Sequence, residues 1–297
     1  MSLVHLATRI FNTPLAIHPE KLSTLLHVLG PRLGLRADMI PKAGDVVPGQ
    51  RRDAGGGEPI GPVAMIPAVA MIPVYGTLVK RSSNVDAESG LTSYAALRSK
   101  VDAAMKSPIV KSLLFDMDSA GGEVSGLFDF CSYLGSVRGT KPMIGIANDM
   151  AFSAAYAVAS CMDKLFITSV AGAGSIGVYM LHVDVSKMDE KQGVAYTYIQ
   201  AGSKKTDMNP HQPLSNRALA EAQGEVDRIR DMFVELVAKN RKVDPKKIYD
   251  TEAGTFMGSQ AVPLLADAVG SFDECMRCVT AFGPPADIHA AARSFRA

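Results

Sequence analysis

Predicted strands and helices alternate between about residue 72 and residue 200, and this alternation constrains the fold more than any other feature of the sequence. Short β-rich runs, such as Val110–Asp116 and Pro142–Ala147, are each followed by a stretch with helical spacing of its apolar residues. The pattern predicts an α/β fold with a mostly parallel sheet. Because sites in such sheets lie beyond the carboxyl ends of the strands, the polar turns predicted at 118–123 and 148–153 are the candidate sites.

Further elements are predicted around these turns from apolar periodicity. The segment 172–177 is rich in glycine and is expected to form a turn. We expect additional strands at Val74–Val79, Leu165–Thr168 and Val194–Gln200, and helices at Tyr94–Met105, Leu127–Val137 and Leu214–Asn240.

Composition divides the chain into four parts. Residues 1–42 have helical spacing of leucines and are predicted to form a small helical N-terminal segment. Residues 43–62 are rich in Gly, Pro, Arg and Asp, which is typical of a flexible linker. We therefore place the main domain at 63–276 and a C-terminal tail at 277–297.

The overall composition excludes several function classes. A net charge of +1 gives no electrostatic reason to expect a nucleic-acid partner. The sequence contains no apolar run of about 18 residues, so it does not indicate a membrane span. The cysteines are Cys131, Cys161, Cys275 and Cys278, and only the last two form a CxxC pair. With no second pair or suitably spaced histidines, we expect reduced thiols, no metal site and no cofactor.

Ser153 lies where an apolar strand end meets a run of small residues, Ala154–Ala159. A serine at such a position can cap the helix N-terminus or fill a small space in the core. It can also be a nucleophile, because the helix N-terminus helps to stabilise an oxyanion. No Gly-x-Ser-x-Gly pattern surrounds Ser153, so an esterase nucleophile is not indicated and the remaining roles stay open.

Two adjacent glycines, Gly121 and Gly122, lie in the turn predicted at Asp118–Glu123. Glycine permits a positive φ and lets a ligand approach the backbone closely. The pair is compatible with an ordinary tight turn. It is also compatible with a site in which the Gly122 N–H binds a developing negative charge.

A nucleophilic serine needs a base, and the residues leave its identity open. His182 and His211 lie outside the terminal segments, but neither has a supporting local pattern. A lysine whose pKa is lowered by burial is the alternative, and Lys204 and Lys205 follow the predicted strand Val194–Gln200. Two adjacent lysines are also typical of a solvated loop.

Five segments, in order along the chain, resemble the signal-peptide-peptidase-A family of Ser-Lys serine proteases. They are Val74–Thr77, Asp116–Gly122, Ala151–Ala155, Gly174–Val178 and Gly202–Pro210. The resemblance implies a Clp-protease/crotonase-like fold and makes the main domain a Ser-Lys peptidase domain.

The resemblance also assigns roles to individual residues. A neutral lysine takes the proton of the serine, and the resulting ammonium protonates the leaving amine. By this correspondence Ser153 is the nucleophile and Lys205, rather than Lys204, is the general base. The N–H groups of Gly122 and Ala154 form the oxyanion hole. Two residues support the site: Ser175, which hydrogen-bonds the lysine, and Gly121.

Within the family, Asp116–Asp118, Ala147–Met150 and Phe11–Leu15 resemble the phage capsid assembly (prohead) proteases. That branch implies a serine endopeptidase that cleaves procapsid scaffold, portal or capsid proteins during head maturation, in the host cytoplasm or the procapsid interior. It also implies a homo-oligomeric ring in which each site is shared between subunits.

Two other functions are compatible with the same residues. A soluble cellular peptidase similar to signal peptide peptidases would degrade peptides with the same dyad. A non-catalytic assembly factor with a crotonase-like fold would not need Ser153, and the presence of both Ser153 and Lys205 weighs against it. Acyl-CoA chemistry on this fold would be an analogy at the level of the fold alone.

Overall fold

In the computed structural model of the chain, the described residues are 10–29, 65–66, 68–81 and 90–281. The predicted linker at 43–62 lies outside these residues, as do residues 282–297 of the predicted tail. The domain boundaries remain predictions, and the last helix, Phe272–Ala281, crosses the boundary placed at residue 276.

The described strands form one large, mostly parallel sheet, as the alternating sequence pattern predicts. Its central order is β10-β7-β6-β5-β3-β2, and the contacts among β3, β5, β6, β7 and β10 are parallel. The strands are β1 (Leu15–Ile17), β2 (Met65–Ile66), β3 (Val69–Val79), β4 (Leu91–Ser93), β5 (Ser112–Glu123), β6 (Met143–Phe152), β7 (Lys164–Ile167), β8 (Gly172–Gly174), β9 (Thr255–Met257) and β10 (Ala268–Val269).

Helices pack against this sheet and connect its strands. The helices expected at Tyr94–Met105, Leu127–Val137 and Leu214–Asn240 are confirmed, with small shifts at their ends. The helices are α1 (Pro19–Leu29), α2 (Tyr94–Lys106), α3 (Leu127–Val137), α4 (Ala154–Ser160), α5 (Ser186–Lys191), α6 (Asn216–Arg241), α7 (Pro245–Tyr249) and α8 (Phe272–Ala281), with a 3₁₀ turn at Gly258–Ala261. In the described residues, no helix is both long enough and apolar enough to span a bilayer.

The two turns expected at 118–123 and 148–153 are instead strand, except at Ser153 itself. β5 continues to Glu123, where Leu78 of β3 lies opposite Gly122, and β6 continues to Phe152, where it pairs with β8. Glycine permits this pairing because a Cβ on Gly122 would lie 1.9 Å from the carbonyl oxygen of Leu78. The glycine-rich segment 172–177 likewise begins as a strand, β8, rather than as a turn.

The strand predicted at Val194–Gln200 is wrong. These residues form no regular element, and the Ile199 side chain is 99% exposed. Alternating apolar residues become a strand only when another strand supplies hydrogen-bond partners, and no described strand of this chain pairs with them. The apolar side chains of this stretch are therefore presented to the surroundings.

The N-terminal segment is not helical throughout, because its described part contains strand β1 before helix α1. β1 runs antiparallel to the end of β5, with Ala16 opposite Gly122. Buried side chains on β1 and α1 form a small apolar cluster with Tyr179 and Leu181. The segment thus packs on the main domain at the glycine-containing end of β5.

Helix α4 lies entirely in the core, and this burial fixes the position of the residue before it, Ser153. All seven of its residues are buried. The Tyr156 hydroxyl donates to the Leu265 carbonyl oxygen at 2.8 Å, and the Asn240 amide donates to the Ser160 hydroxyl at 3.1 Å. Polar bonds at two points therefore supplement apolar packing around this short helix.

The Tyr156→Phe variant tests the first of these bonds. It leaves the buried Leu265 carbonyl without that donor, so we expect the free energy of unfolding to fall by about 1–2 kcal/mol. Urea denaturation measures this difference. The matched control is Tyr198→Phe, at a partly exposed tyrosine, for which we expect a change within about 0.5 kcal/mol. Equal stabilities of the two variants would contradict this account of α4.

Candidate active site

Ser153 lies at the junction between β6 and α4 with a backbone conformation that is unusual for a residue with a side chain. Its φ is 54° and its ψ is −120°. Its N–H donates to the Gly174 carbonyl oxygen at 2.8 Å, and its carbonyl oxygen accepts the Ala157 N–H at 3.0 Å. The Ser153 side chain makes no capping hydrogen bond, so the capping role considered from the sequence is wrong.

The strained backbone conformation of Ser153 is informative about the function of this residue. Positive φ at a non-glycine residue costs about 1–3 kcal/mol and tends to persist at active sites. A strained strand-to-helix turn is also the backbone arrangement that presents the serine of α/β-hydrolases to its substrate. Ser153 has such a junction without the flanking glycines that usually identify it in a sequence. The geometry therefore favours a nucleophile over a core-filling serine.

The N–H groups expected to form the oxyanion hole lie beside this junction. The Ala154 N–H is in the first turn of α4 and has no partner within the helix. Gly121 has a φ of 97°, and a Cβ built on it would lie 3.0 Å from the Ala154 nitrogen. The structure therefore brings Ser153, Ala154 and the Gly121–Gly122 segment together, as the resemblance implies.

Ser175 borders the same site. Its neighbour Gly174 accepts the Ser153 N–H, and the Ser175 N–H donates to the Gly254 carbonyl oxygen at 2.8 Å. Its φ is 55°, so Ser175 also has a strained backbone. Together with Gly177 and Tyr179 it lines a cavity of about 460 Å³, which the N-terminal segment reaches through Ile17 and His18.

Lys205 lies apart from this group in the described chain. It is in an exposed loop of turns, where its N–H donates to the Gly202 carbonyl oxygen at 3.0 Å. Its side chain makes no hydrogen bond or ion pair with any described residue. Lys204, in contrast, forms a 2.6 Å ion pair with Glu221. A single chain thus does not show the Ser153–Lys205 contact that the resemblance implies.

The two histidines considered as bases are engaged elsewhere. His211 Nδ1 lies 2.8 Å from an Asp189 carboxylate oxygen, and its ring stacks on Tyr196. His182 Nδ1 lies 3.0 Å from the Asn12 side-chain oxygen. In the described residues, the hydrogen bond of the Ser153 hydroxyl goes to the Gly177 carbonyl oxygen, at 3.5 Å. Neither histidine contacts Ser153.

The cysteines and acidic residues do not suggest a metal centre. Within the described ranges, no group of three or more His, Cys, Asp or Glu residues could hold a metal ion. Cys275 and Cys278 are buried in the core on α8, and burial raises the pKa of the Cys275 thiol to about 12. That thiol is therefore protonated at neutral pH.

The contact between β1 and the glycine-containing end of β5 was not predicted from the sequence. Leu15, Ala16 and Ile17 form a short apolar run, which is the signal that could have indicated a strand. Helical spacing in the following leucines obscured it. The structure therefore adds Ala16 and His18 to the residues that surround the site.

Two phage proteins are similar to most of this chain. The chain is 34% identical over 269 residues to the capsid assembly protease C of Escherichia phage lambda, an alignment that covers 88% of this chain and 61% of that protein. It is 31% identical to the head-tail preconnector protein GP5 of Enterobacteria phage P21, over 88% of this chain and 54% of that protein. The chain thus spans less than two thirds of the length of both relatives.

A cellular protein and a protein-family model also match this chain. The putative signal peptide peptidase SppA of Enterococcus faecium is 28% identical over 56% of this chain and 49% of that protein. The sequence model of peptidase family S49 matches residues 136–281, a range that contains Ser153, Ser175 and Lys205. These matches confirm the resemblance that the five sequence segments indicated. Residues 136–281 therefore carry a peptidase family S49 domain.

Proposed function

We propose that the chain is a serine endopeptidase that uses a Ser153–Lys205 dyad to cleave scaffold, portal or capsid proteins during assembly of a phage head, in the host cytoplasm or the procapsid interior. The observation that carries the proposal is the strained junction at Ser153, with the Ala154 N–H and the Gly121–Gly122 segment beside it. The names of the two phage relatives support substrates from capsid assembly.

The proposed reaction follows from the positions of these groups. The Ser153 hydroxyl attacks the carbonyl carbon of the substrate while the Lys205 amine takes its proton. The N–H groups of Gly122 and Ala154 stabilise the negative charge that develops on the carbonyl oxygen. The resulting ammonium then protonates the leaving amine, and Ser175 orients the lysine.

We further propose that Lys205 acts on the Ser153 of a neighbouring subunit in a homo-oligomeric ring. Lys205 is exposed in the chain, and the stretch before it carries the exposed apolar side chains of Tyr196, Tyr198 and Ile199. Exposed apolar side chains grouped in this way are typical of interaction sites. Contact with a neighbour would bury these side chains and desolvate the lysine amine, which lowers the pKa of a lysine.

Substitution of the dyad tests the proposed activity. We expect Ser153→Ala and Lys205→Ala to reduce cleavage of a co-expressed scaffold or capsid protein by about 10⁴-fold or more, because each removes a group that acts in the chemical step. Gel analysis of the co-expressed proteins measures this loss. Lys204→Ala is the matched control and should retain activity, since it removes a surface ion pair worth about 0–1 kcal/mol.

The outcomes of that experiment separate the alternatives. Unchanged processing by Ser153→Ala would support the non-catalytic assembly factor and contradict the peptidase. Loss of activity in Lys204→Ala but not in Lys205→Ala would assign the base to the other lysine. Ser153-dependent cleavage of short peptides, with intact capsid proteins left uncut, would favour the cellular peptide-degrading role suggested by the Enterococcus faecium relative.

Mixing the two inactive variants tests whether the dyad is shared. If Lys205 serves the neighbouring chain, a mixed oligomer pairs the intact serine of a Lys205→Ala chain with the intact lysine of a Ser153→Ala chain. Random assembly in a ring should then restore about a quarter of the wild-type sites. The measurement is cleavage by the mixture after joint refolding. A mixture as inactive as its components would place both groups of a site in one chain.

Substitution of Gly121 tests the oxyanion site. A methyl group there would lie 3.0 Å from the Ala154 nitrogen, so we expect Gly121→Ala to reduce kcat by about 100-fold or more. Gly139→Ala is the matched control, because Gly139 has a similar φ of 85° but no atom within 4 Å of the added methyl group. It should cost about 1 kcal/mol of stability and leave activity intact. Equal activities of the two variants would exclude this oxyanion site.

A further inference from the structure

The N-terminal strand β1 is held in a groove between two other backbone segments. On one side it pairs antiparallel with the end of β5, where Ala16 lies opposite Gly122. On the other side Leu15 exchanges both of its backbone hydrogen bonds with Tyr179, at 2.9 and 3.1 Å. Peptides recognised by strand addition are held by main-chain bonds of this kind. Residues 15–18 therefore occupy the groove as an extended peptide would.

The register of this strand directs the Ala16 carbonyl at the proposed oxyanion site. The His18 N–H donates to the Ala120 carbonyl oxygen at 2.8 Å. Hydrogen-bonded pairs alternate along an antiparallel ladder, so the next such pair is Ala16 with Gly122, and the Ala16 carbonyl accepts the Gly122 N–H. Gly122 is the residue whose N–H the proposed mechanism uses to bind the oxyanion.

The same carbonyl also lies close to Ala154. The point that a Cβ on Gly121 would occupy lies 2.3 Å from the Ala16 oxygen and 3.0 Å from the Ala154 nitrogen. The His18 ring stacks on Phe152, the residue before Ser153, with 5.1 Å between ring centroids. The chain on both sides of the Ala16–Ile17 bond thus lies against the elements that carry Ser153.

We propose that Ala16–Ile17 is a self-cleavage site, and that the N-terminal segment of the chain is the first substrate of the Ser153 site. The inference rests on the proposed function, because it uses the same nucleophile. The small side chain before the proposed scissile bond fits its surroundings, since Ala16 is 0% exposed and packs in the main core cluster. Until it is cut, the segment excludes other peptides from the groove.

The proposed step balances with water as the co-reactant. The Ser153 oxygen bonds to the Ala16 carbonyl carbon and its proton passes to Lys205. The bond from that carbon to the Ile17 nitrogen breaks, and the nitrogen receives the proton as a new terminal amine. Water then hydrolyses the ester between Ala16 and Ser153, which frees the serine and leaves an Ala16 carboxylate. The products are residues 1–16 and a chain that begins at Ile17.

N-terminal sequencing and intact-mass measurement of the purified full chain test this inference. We expect wild-type protein to lose residues 1–16 and acquire Ile17 as its terminus, whereas Ser153→Ala keeps the bond intact. Loss of the same residues in Ser153→Ala would overturn the inference. Casein, added as an independent substrate, distinguishes failure of the self-cleavage inference from failure of the proposed peptidase function. Ser153-dependent casein cleavage by a chain with an intact Ala16–Ile17 bond would overturn self-cleavage alone, and absence of both cleavages would overturn the peptidase as well.

Variants at Ala16 test whether the fit of this side chain in the groove determines which peptide bond is cut. Ala16→Leu enlarges a side chain that has no free space, so we expect self-cleavage at this bond to slow by about tenfold or more. Ala16→Ser, of similar size, should be cut at a rate close to that of the wild type. Circular dichroism and urea denaturation of each variant, compared with the wild type, report whether it has folded. Equal rates of self-cleavage in folded Ala16→Leu and Ala16→Ser would contradict the assignment of this bond.

Discussion

The backbone strain at Ser153 is the constraint on which the rest of the site depends. A φ of 54° at a serine is unfavourable and persists only where the surrounding structure determines it. Here the hydrogen bond to Gly174 holds the residue from β8, and the bond from Ala157 holds it from the next helical turn. Because α4 is buried along its whole length, the junction cannot relax by shifting the helix.

The glycine-containing end of β5 forms the other half of the site. Gly122 must lack a side chain because the Leu78 backbone lies against it, and Gly121 must lack one because its φ is positive and Ala154 lies close. The same absence of side chains leaves the β5 edge open to an added strand, and β1 is the strand that uses it. One structural requirement thus produces both the groove and the space in which we propose that the oxyanion binds.

The two halves of the proposed dyad differ sharply in their surroundings. Ser153 is 1% exposed, whereas Lys205 lies on an exposed loop preceded by exposed apolar residues. Under the proposed mechanism, a chain by itself therefore holds its nucleophile, its oxyanion donors and a bound peptide, but not its base. Assembly would supply the base, and this would link proteolysis to oligomer formation.

Much of the fold and part of the site could be predicted from the sequence. Helices α2, α3 and α6 follow from apolar periodicity, and the strand-to-helix junction at Ser153 follows from the change in residue type there. The resemblance carried by short segments correctly indicated the family. Gly121 and Ala154 were selected in the same way, and the structure places them together.

The remaining features depend on contacts between residues that are distant in the sequence. Local patterns suggested turns at 118–123 and 148–153, yet pairing with β3 and β8 extends both segments as strands as far as Glu123 and Phe152. Val194–Gln200 alternates like a strand but has no strand partner in the described chain. The sequence by itself determined the elements and the chemical groups, because periodicity and residue type are local properties. Only the tertiary structure decided that Ala16 meets Gly122 and that Lys205 lies apart from Ser153, because strand pairing and burial depend on which segments the fold brings together.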